Sequence, residues 1–554
     1  MSIRHRNVGR LVLVGCLGVS LSGRAVAQAP PLWGKLPPGS HAVGFQSGWQ
    51  LDYVRRYNMT FDDGTSYAAG KGPRPILVNR WYPAVVAADA RKMPHGMYLN
   101  VRTDDPALAK YAARLAEYER SVIAKEVMGK PLKDLTKAES ALLDEFFDTP
   151  TACVRDAAPA KGNFPLVIYH AGAGSSFEDN AVFCEFLASH GFVVLGSAFP
   201  QGSGQSFNTD NREGSHRDLD FLIAHVRQLP NVDSKHIGLI GHSAGAQASL
   251  TYCARAGCPI DAVVSLDTTQ DYRGVKDPLW SFTPQMVKNA SEFTSSVLMT
   301  AGPQAFFELA DLLRNAERHY LTIDHLDHND YIAQGGIHRE RMVRLRRDDP
   351  GQDTKARAEE EAELPMVRES YRALCVNVLR FFEAKLKDET AAQKFLSMQY
   401  RETKFGSGEP HVDYMAKGRT GPERYVDGDE PPSPRQLRPY LREHGNQKTI
   451  ALMRRFREKT PAHPIFNDNF KFFLVGDLLD QGKVEDAIAL RDYFRETKLN
   501  CNEFFLVIGK SYEGQGLMKP AAVFYRRLLR LDPANAEAAA RLKEVEAKLP
   551  QHDR

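Results

Sequence analysis

The sequence predicts an α/β chain: a mostly parallel sheet flanked by helices, with a helical insertion and an all-α C-terminal extension. Three observations predict it. From Phe164 onward, short apolar runs alternate with helix-forming stretches, in the order "PLVIYH", "FVVLGSAF", "IGLIGHS", "AVVSLD", "SVLMTAG" and "YLTIDH". Runs that are apolar at nearly every position belong to strands buried on both faces, as in parallel sheets with right-handed helical crossovers. Residues 104–147 switch to helical spacing, in "PALAKYAARLAEYERSVIAKEV" and "AESALLDEFFD". Near the C-terminus, Leu478, Gly482 and Ala487 recur 34 residues later as Tyr512, Gly516 and Ala521.

The elements follow in chain order. "MSIRHRNVGR" is basic, "LVLVGCLGVSLS" is apolar, and "RAVAQAP" offers small residues at Ala25 and Ala27. This is the pattern of a bacterial-style export signal cleaved after Ala27, so residues 1–27 are set apart from the fold. A periplasmic or secreted location follows. "LVGC" also resembles a lipoprotein box at Cys16, but few apolar residues precede that cysteine and the apolar run continues past it, so anchoring there is the less favoured reading. No other apolar run is long enough to cross a bilayer, so the mature chain is expected to have no transmembrane span. "HAVGFQSGWQLDYV" and "RPILVNRWYPA" read as two early strands joined by a Gly-rich turn near "FDDGTSY". The helical insertion is expected over about residues 88–160 of a main domain that spans 28–395. A helix around "VRESYRALCVNVLRFFEAKL" ends that domain.

Residues 396–464 read as a linker and helical connection, because the first part of the segment loses periodicity and collects Gly, Pro and charge. Residues 465–549 carry the repeat, in which Phe470 and Leu474 also recur as Phe504 and Ile508. Its small residues at fixed offsets resemble the tetratricopeptide pattern, in which paired helices pack closely. The first copy departs from that pattern at Val475 and Leu499. Two repeats are fewer than a free-standing array needs, so they are expected to pack on "QKTIALMRRFREK" or on the main domain, and they are a candidate surface for a protein partner.

Composition sets bounds. With 554 residues there is room for two or more domains. A net charge of +3 gives no support to a nucleic-acid role. Cys253 and Cys258, in "CARAGC", are close enough to bridge in an exported protein and could equally stand as free thiols.

The chemistry centres on "HIGLIGHSAGAQASL", which holds Gly241-His242-Ser243-Ala244-Gly245 between a strand and a helix. A serine on so tight a turn needs small neighbours, and its hydroxyl then stands clear of the sheet beside a helix N-terminus. A serine hydroxyl is a poor nucleophile without a base, and the base needs an orienting carboxylate. Asp267 ends the next apolar run, at the tip of a strand, and is the candidate acid. The last strand leads into "LTIDHLDHNDYI", where two histidines and three aspartates could hold a metal or supply a base. "HLDH" is similar to the His-x-His-x-Asp-His run of metallo-β-lactamase-like hydrolases, but Ile323 stands where the first of those histidines belongs. H-E-x-x-H is absent too, so neither a metal nor any other cofactor is expected. His328, further into the loop, is the candidate base. His325 at the strand end and His242 beside the serine are candidates for support around it, and His319, before the strand, is expected to be exposed. An oxyanion needs preorganised N–H donors. The candidates are the backbone N–H groups of Ala244 and of Ala173 in "HAGAGSS".

These residues resemble the α/β-hydrolases, and within them the platelet-activating-factor acetylhydrolase and dienelactone-hydrolase-like esterases, over roughly residues 41–385. "NRWYPA" is similar to that branch's Tyr-Pro strand. Asp267 follows Ser243 by 24 residues, on the strand where the branch carries its acid, and "TIDHLDHNDY" is similar to its histidine segment. The branch often has His-Gly-x-Gly where this chain has Ala171-Gly172-Ala173-Gly174, and dienelactone hydrolases proper use cysteine where this chain has Ser243. The resemblance implies a serine carboxylic-ester hydrolase with Ser243, Asp267 and His328 as a triad, acting on a small-molecule, lipid or sugar ester. A peptidase or amidase on the same scaffold, and a repeat-containing binding protein with a vestigial triad, are the alternatives.

Overall fold

In the computed structural model the described residues are 30–56, 72–101, 103–199, 209–229, 231–275, 283–345, 354–397, 400–402, 410–416, 425, 428–514 and 516–549. The expected export signal, Cys16 and the "FDDGTSY" turn lie outside them. Twelve strands among the described residues form one mixed, mostly parallel sheet with helices on both faces. They are β1 (Ala42–Arg56), β2 (Pro73–Val85), β3 (Cys153–Arg155), β4 (Ala158–Pro159), β5 (Phe164–His170), β6 (Val193–Gly196), β7 (Val232–His242), β8 (Ala262–Leu266), β9 (Ser296–Ala301), β10 (Arg318–Ile323), β11 (Tyr400–Glu402) and β12 (Val412–Ala416). The order across the sheet is β11-β12-β10-β9-β8-β7-β5-β6-β2-β1-β3, with β4 paired to β2. The central strands β6-β5-β7-β8-β9-β10 are parallel, whereas β1, β2 and β12 join antiparallel.

Period-two alternation explains the two-sided burial. Leu166 and Ile168 of β5 face one side of the sheet and Val167 and Tyr169 the other, all nearly inaccessible to solvent. Burying one such side chain fully stabilises by about 1.5–3 kcal/mol relative to leaving it exposed. Helices α1 (Pro106–Met128) and α2 (Lys137–Phe147) form the expected insertion. Asp105 caps the first, and a Thr136–Glu139 capping box starts the second. The insertion rejoins the sheet through β3 and β4, which are too short to carry a sequence period.

α3 (Ala181–Ser189) lies on the same face as α9 (Thr354–Leu386), and α4 (Thr209–Val226) and α5 (Ala244–Cys253) lie on the opposite one. α6 (Thr283–Lys288), α7 (Glu308–Asp311) and α8 (Arg339–Leu345) are short. α9 (Thr354–Leu386) covers the sheet with Tyr371, Leu374, Val378 and Phe382, and α10 (Thr390–Ser397) follows. The stretch read from sequence as a linker supplies β11 and β12, which extend the sheet beyond β10, and then α11 (Pro434–Arg457), bent at Gly445. One consequence corrects the expectation for His319. It lies within β10, is 1% exposed, and shares a 2.7 Å hydrogen bond between Nδ1 and the Tyr414 hydroxyl of β12.

The C-terminal region is all-helical: α12 (Asp468–Asp480), α13 (Val484–Glu496), α14 (Cys501–Gly514), α15 (Met518–Leu531) and α16 (Ala536–Lys548). It has its own apolar core with α11, running from Leu437 to Leu549. Small residues let the helices approach: a Cβ on Gly509 of α14 would fall 2.5 Å from the Tyr525 ring of α15. Phe473 of α12 packs against both this core and that of the main sheet. Cys253 and Cys258 are free thiols. No helix among the described residues is long and apolar enough to cross a membrane.

Candidate active site

The chain leaves β5 for β6 on one side, then returns to β7 on the other. Such a reversal opens a crevice at the carboxyl ends of the strands. Four candidate segments leave the sheet at that end: the loop after β5, Ser243 after β7, Asp267 after β8 and His328 after β10. Register fixes their alignment. His170 pairs with Gly241, and His242 with Leu266. The ladder runs one residue further, since the Ser243 N–H donates to the Leu266 carbonyl (3.0 Å) and the Asp267 N–H to the Thr300 carbonyl (2.9 Å).

Ser243 sits at φ 52°, ψ −118°, a region non-glycine residues rarely occupy. Its neighbours make the turn feasible. A Cβ on Gly241 would fall 2.4 Å from the Gly245 backbone, and one on Gly245 would fall 2.2 Å from the His170 carbonyl. The turn holds a strained residue against a rigid sheet, which predicts that Ser243→Gly is more stable than Ser243→Ala by about 1 kcal/mol. Urea unfolding of the two variants checks this, and equal midpoints would mean that no strain is stored there.

The three side chains form one chain of hydrogen bonds. Ser243 Oγ donates to His328 Nε2 (2.9 Å), and His328 Nδ1 donates to Asp267 Oδ2 (2.6 Å). Burial opposes the imidazolium of His328, but the hydrogen bond and charge of Asp267 outweigh it and hold its pKa above the ordinary histidine value. The His328 side chain remains 44% exposed, open to the crevice, whereas the Asp267 side chain is 7% exposed. His242 lies against His328: its Nε2 donates to the His328 carbonyl (3.0 Å), and the two rings lie 4.8 Å apart. Burial, followed by the neighbouring His328, pushes the His242 pKa down to about 3, so it stays neutral.

His325 is not brought to this chain of hydrogen bonds. It sits at φ 57° with a side chain 51% exposed, and its Nε2 is 3.5 Å from Asp324. The aspartates of the segment serve the turn. Asp324 accepts from the His411 N–H (2.7 Å), and Asp327 and Asp330 cap each other around the short helical turn His328–Tyr331. Among the described residues no group of three or more His, Cys, Asp or Glu side chains is arranged to hold a metal ion.

The loop after β5 runs beside the serine. A Cβ on Gly172 would fall 3.2 Å from Ser243 Cβ, and the exposed Ala173 follows it. Ala244 opens α5, where the first N–H groups have no intrahelical acceptor. Sequence reasoning missed Tyr272, whose hydroxyl donates to Asp267 Oδ1. It lies five residues past the aspartate in no motif, so no local signal marks it.

No protein-family model and no curated protein matches the chain. Among solved structures it is similar to a ferulic acid esterase from Streptomyces cinnamoneus, at 17% identity and a TM-score of 0.40, over 63% of this chain and 91% of that one.

Proposed function

We propose that this protein is an exported serine hydrolase that cleaves carboxylic esters through an acyl-enzyme. The observation that carries the reading is the continuous chain from the Ser243 hydroxyl through His328 to the Asp267 carboxylate, with each residue in a segment that follows a different strand. Ser243 Oγ attacks the ester carbonyl and its proton passes to His328 Nε2. Asp267 stabilises the imidazolium and holds the ring in the tautomer that leaves Nε2 free to accept. The N–H groups of Ala173 and Ala244 receive the oxyanion, aided by the positive end of α5. The carbonyl re-forms, the C–O bond to the alcohol breaks, and the alcohol leaves with the proton from His328. Water then gives a proton to His328 and attacks the acyl carbon. When the acyl–Oγ bond breaks, that proton returns to Ser243 and the acid departs.

The test is active-site labelling of the full chain. A fluorophosphonate probe is expected to label Ser243 stoichiometrically, found by peptide mass, and p-nitrophenyl acetate is expected to turn over with a burst. Absence of labelling would favour the binding-protein alternative. Faster cleavage of a matched anilide than of the ester would favour the amidase. A panel of acyl chain lengths, acetylated sugars and phospholipids then assigns the ester class.

A further inference from the structure

Asp267 has two partners, and only one of them is His328. Its other oxygen, Oδ1, accepts from the hydroxyl of Tyr272, which is buried and in turn accepts from the Gly302 N–H (2.7 Å). The tyrosine therefore ties the carboxylate to the end of β9. A carboxylate held at both oxygens cannot rotate away from the imidazole it orients.

Tyr272 is itself held by a part of the chain 200 residues away. The Phe473 ring of α12 lies against it, centroids 6.1 Å apart and 28° from parallel. Arg273 extends its guanidinium over Phe473 (5.2 Å) and Phe524 of α15 (5.9 Å). A second tie sits beside the first. Arg438 of α11 donates from Nε to Asp477 of α12 (2.8 Å) and from an Nη to Glu308 (3.2 Å), and Glu308 accepts the Val275 N–H (3.0 Å). Gly274 leaves room for this cluster: a Cβ there would fall 2.8 Å from Asp477 Oδ1 and 3.1 Å from Glu308 Oε2. The N–H groups of Phe306 and Phe307, just before Glu308, donate to the Asp271 carbonyl (2.8 and 3.0 Å). The turn that follows Asp267 is thus clamped between the sheet and the C-terminal helices.

We propose that Tyr272 is a positioning residue for the Asp267 carboxylate and that the C-terminal helices hold it in place through Phe473. The inference rests on the serine-hydrolase reading above. It makes the helical extension part of the machinery that orients the base. The titratable groups that face Asp267 or His328 are Tyr272 and Asp271 on the turn, Tyr331 on the His328 loop, and His242 at the end of β7.

The test uses full-length Tyr272→Phe, Phe473→Ala and the double variant, assayed on p-nitrophenyl acetate. Tyr272→Phe keeps the ring and deletes the hydroxyl that donates to Oδ1 and accepts from the Gly302 N–H. It is expected to lower kcat about tenfold, the scale of a hydrogen bond to a charged group, with KM within about twofold. It should also move the acidic limb of kcat/KM to higher pH, because a carboxylate with one donor fewer favours the imidazolium more strongly. Phe473→Ala is expected to lower kcat about threefold with a pH shift of the same sign. The double variant should match Tyr272→Phe alone, since both act through one hydroxyl. If Phe473→Ala loses its cooperative unfolding transition, Phe473→Leu is measured instead and the same coupling is expected. Wild-type kcat and an unchanged pH profile in Tyr272→Phe would overturn the proposal, and so would effects that multiply in the double variant. Failure of the wild-type protein to take up a fluorophosphonate would instead remove the hydrolase reading beneath it.

Discussion

Ser243→Ala is expected to lower kcat/KM for p-nitrophenyl acetate by about 10⁵-fold, or about 7 kcal/mol of transition-state stabilisation, and to leave folding intact. The size follows from what the hydroxyl does. In the proposed mechanism it is the atom that forms the acyl bond, and its chain neighbours offer no replacement, because His242 Nε2 is bonded to the His328 carbonyl and Ala244 carries only a methyl group. The oxyanion donors and the bound geometry survive, so some acceleration over water remains. The stability cost is small. One hydrogen bond to a half-exposed imidazole is lost, worth about 0.5–1.5 kcal/mol, and the positive φ at residue 243 is retained. Activity within tenfold of wild type would sink the assignment, whereas loss of the unfolding transition would show that the variant reports on the fold and not on chemistry. Circular dichroism and urea unfolding beside the kinetics distinguish the two.

How much of this site a sequence displays depends on how local its signals are. The Gly241–Gly245 turn is fully local: both glycines are required because backbone passes within 2.5 Å of where a side chain would begin. Asp267 and the His328 loop are one step less local, legible because each closes an apolar run that can only be a buried strand. The mostly parallel sheet was legible for the same reason. Tyr272 is different. Its hydroxyl reaches back five residues to Asp267, but its other partners are the end of β9 and α12, and no motif in the turn marks it as more than a turn aromatic. The strands β3, β4, β11 and β12 were illegible because two to five residues cannot establish a period of two against background. His319 misled because β10 begins earlier than its apolar run suggests. A buried histidine that bonds a tyrosine on the neighbouring strand reads as a polar residue outside the core.

The division of labour between the two loop histidines gives the second large effect. His328→Ala is expected to lower kcat/KM by about 10⁵-fold, close to the loss for Ser243→Ala, because nucleophile and base act as a unit. His325→Ala is expected to stay within about threefold of wild type, since its ring faces Asp324 at 3.5 Å and stands half in solvent. The reverse pattern would move the base to His325. The pH dependence carries a signature that ties the residue to the rate. A general base must be neutral, so wild-type activity is expected to fall on acidification through the pKa of His328, which burial lowers but the hydrogen bond and charge of Asp267 hold above the ordinary value. For stability the sign is opposite. A raised folded-state pKa contributes stability that is fully present below the unfolded value and is lost as pH rises through the folded one. The His328–Asp267 pair therefore stabilises the fold most at the acidic pH where the protein is expected to be least active. His328→Ala is expected to remove that contribution along with the activity, and His325→Ala to leave both profiles where they were. Measuring urea midpoints and kcat/KM over the same pH series tests the coupling, because a base elsewhere in the molecule would move the rate profile without moving this stability profile.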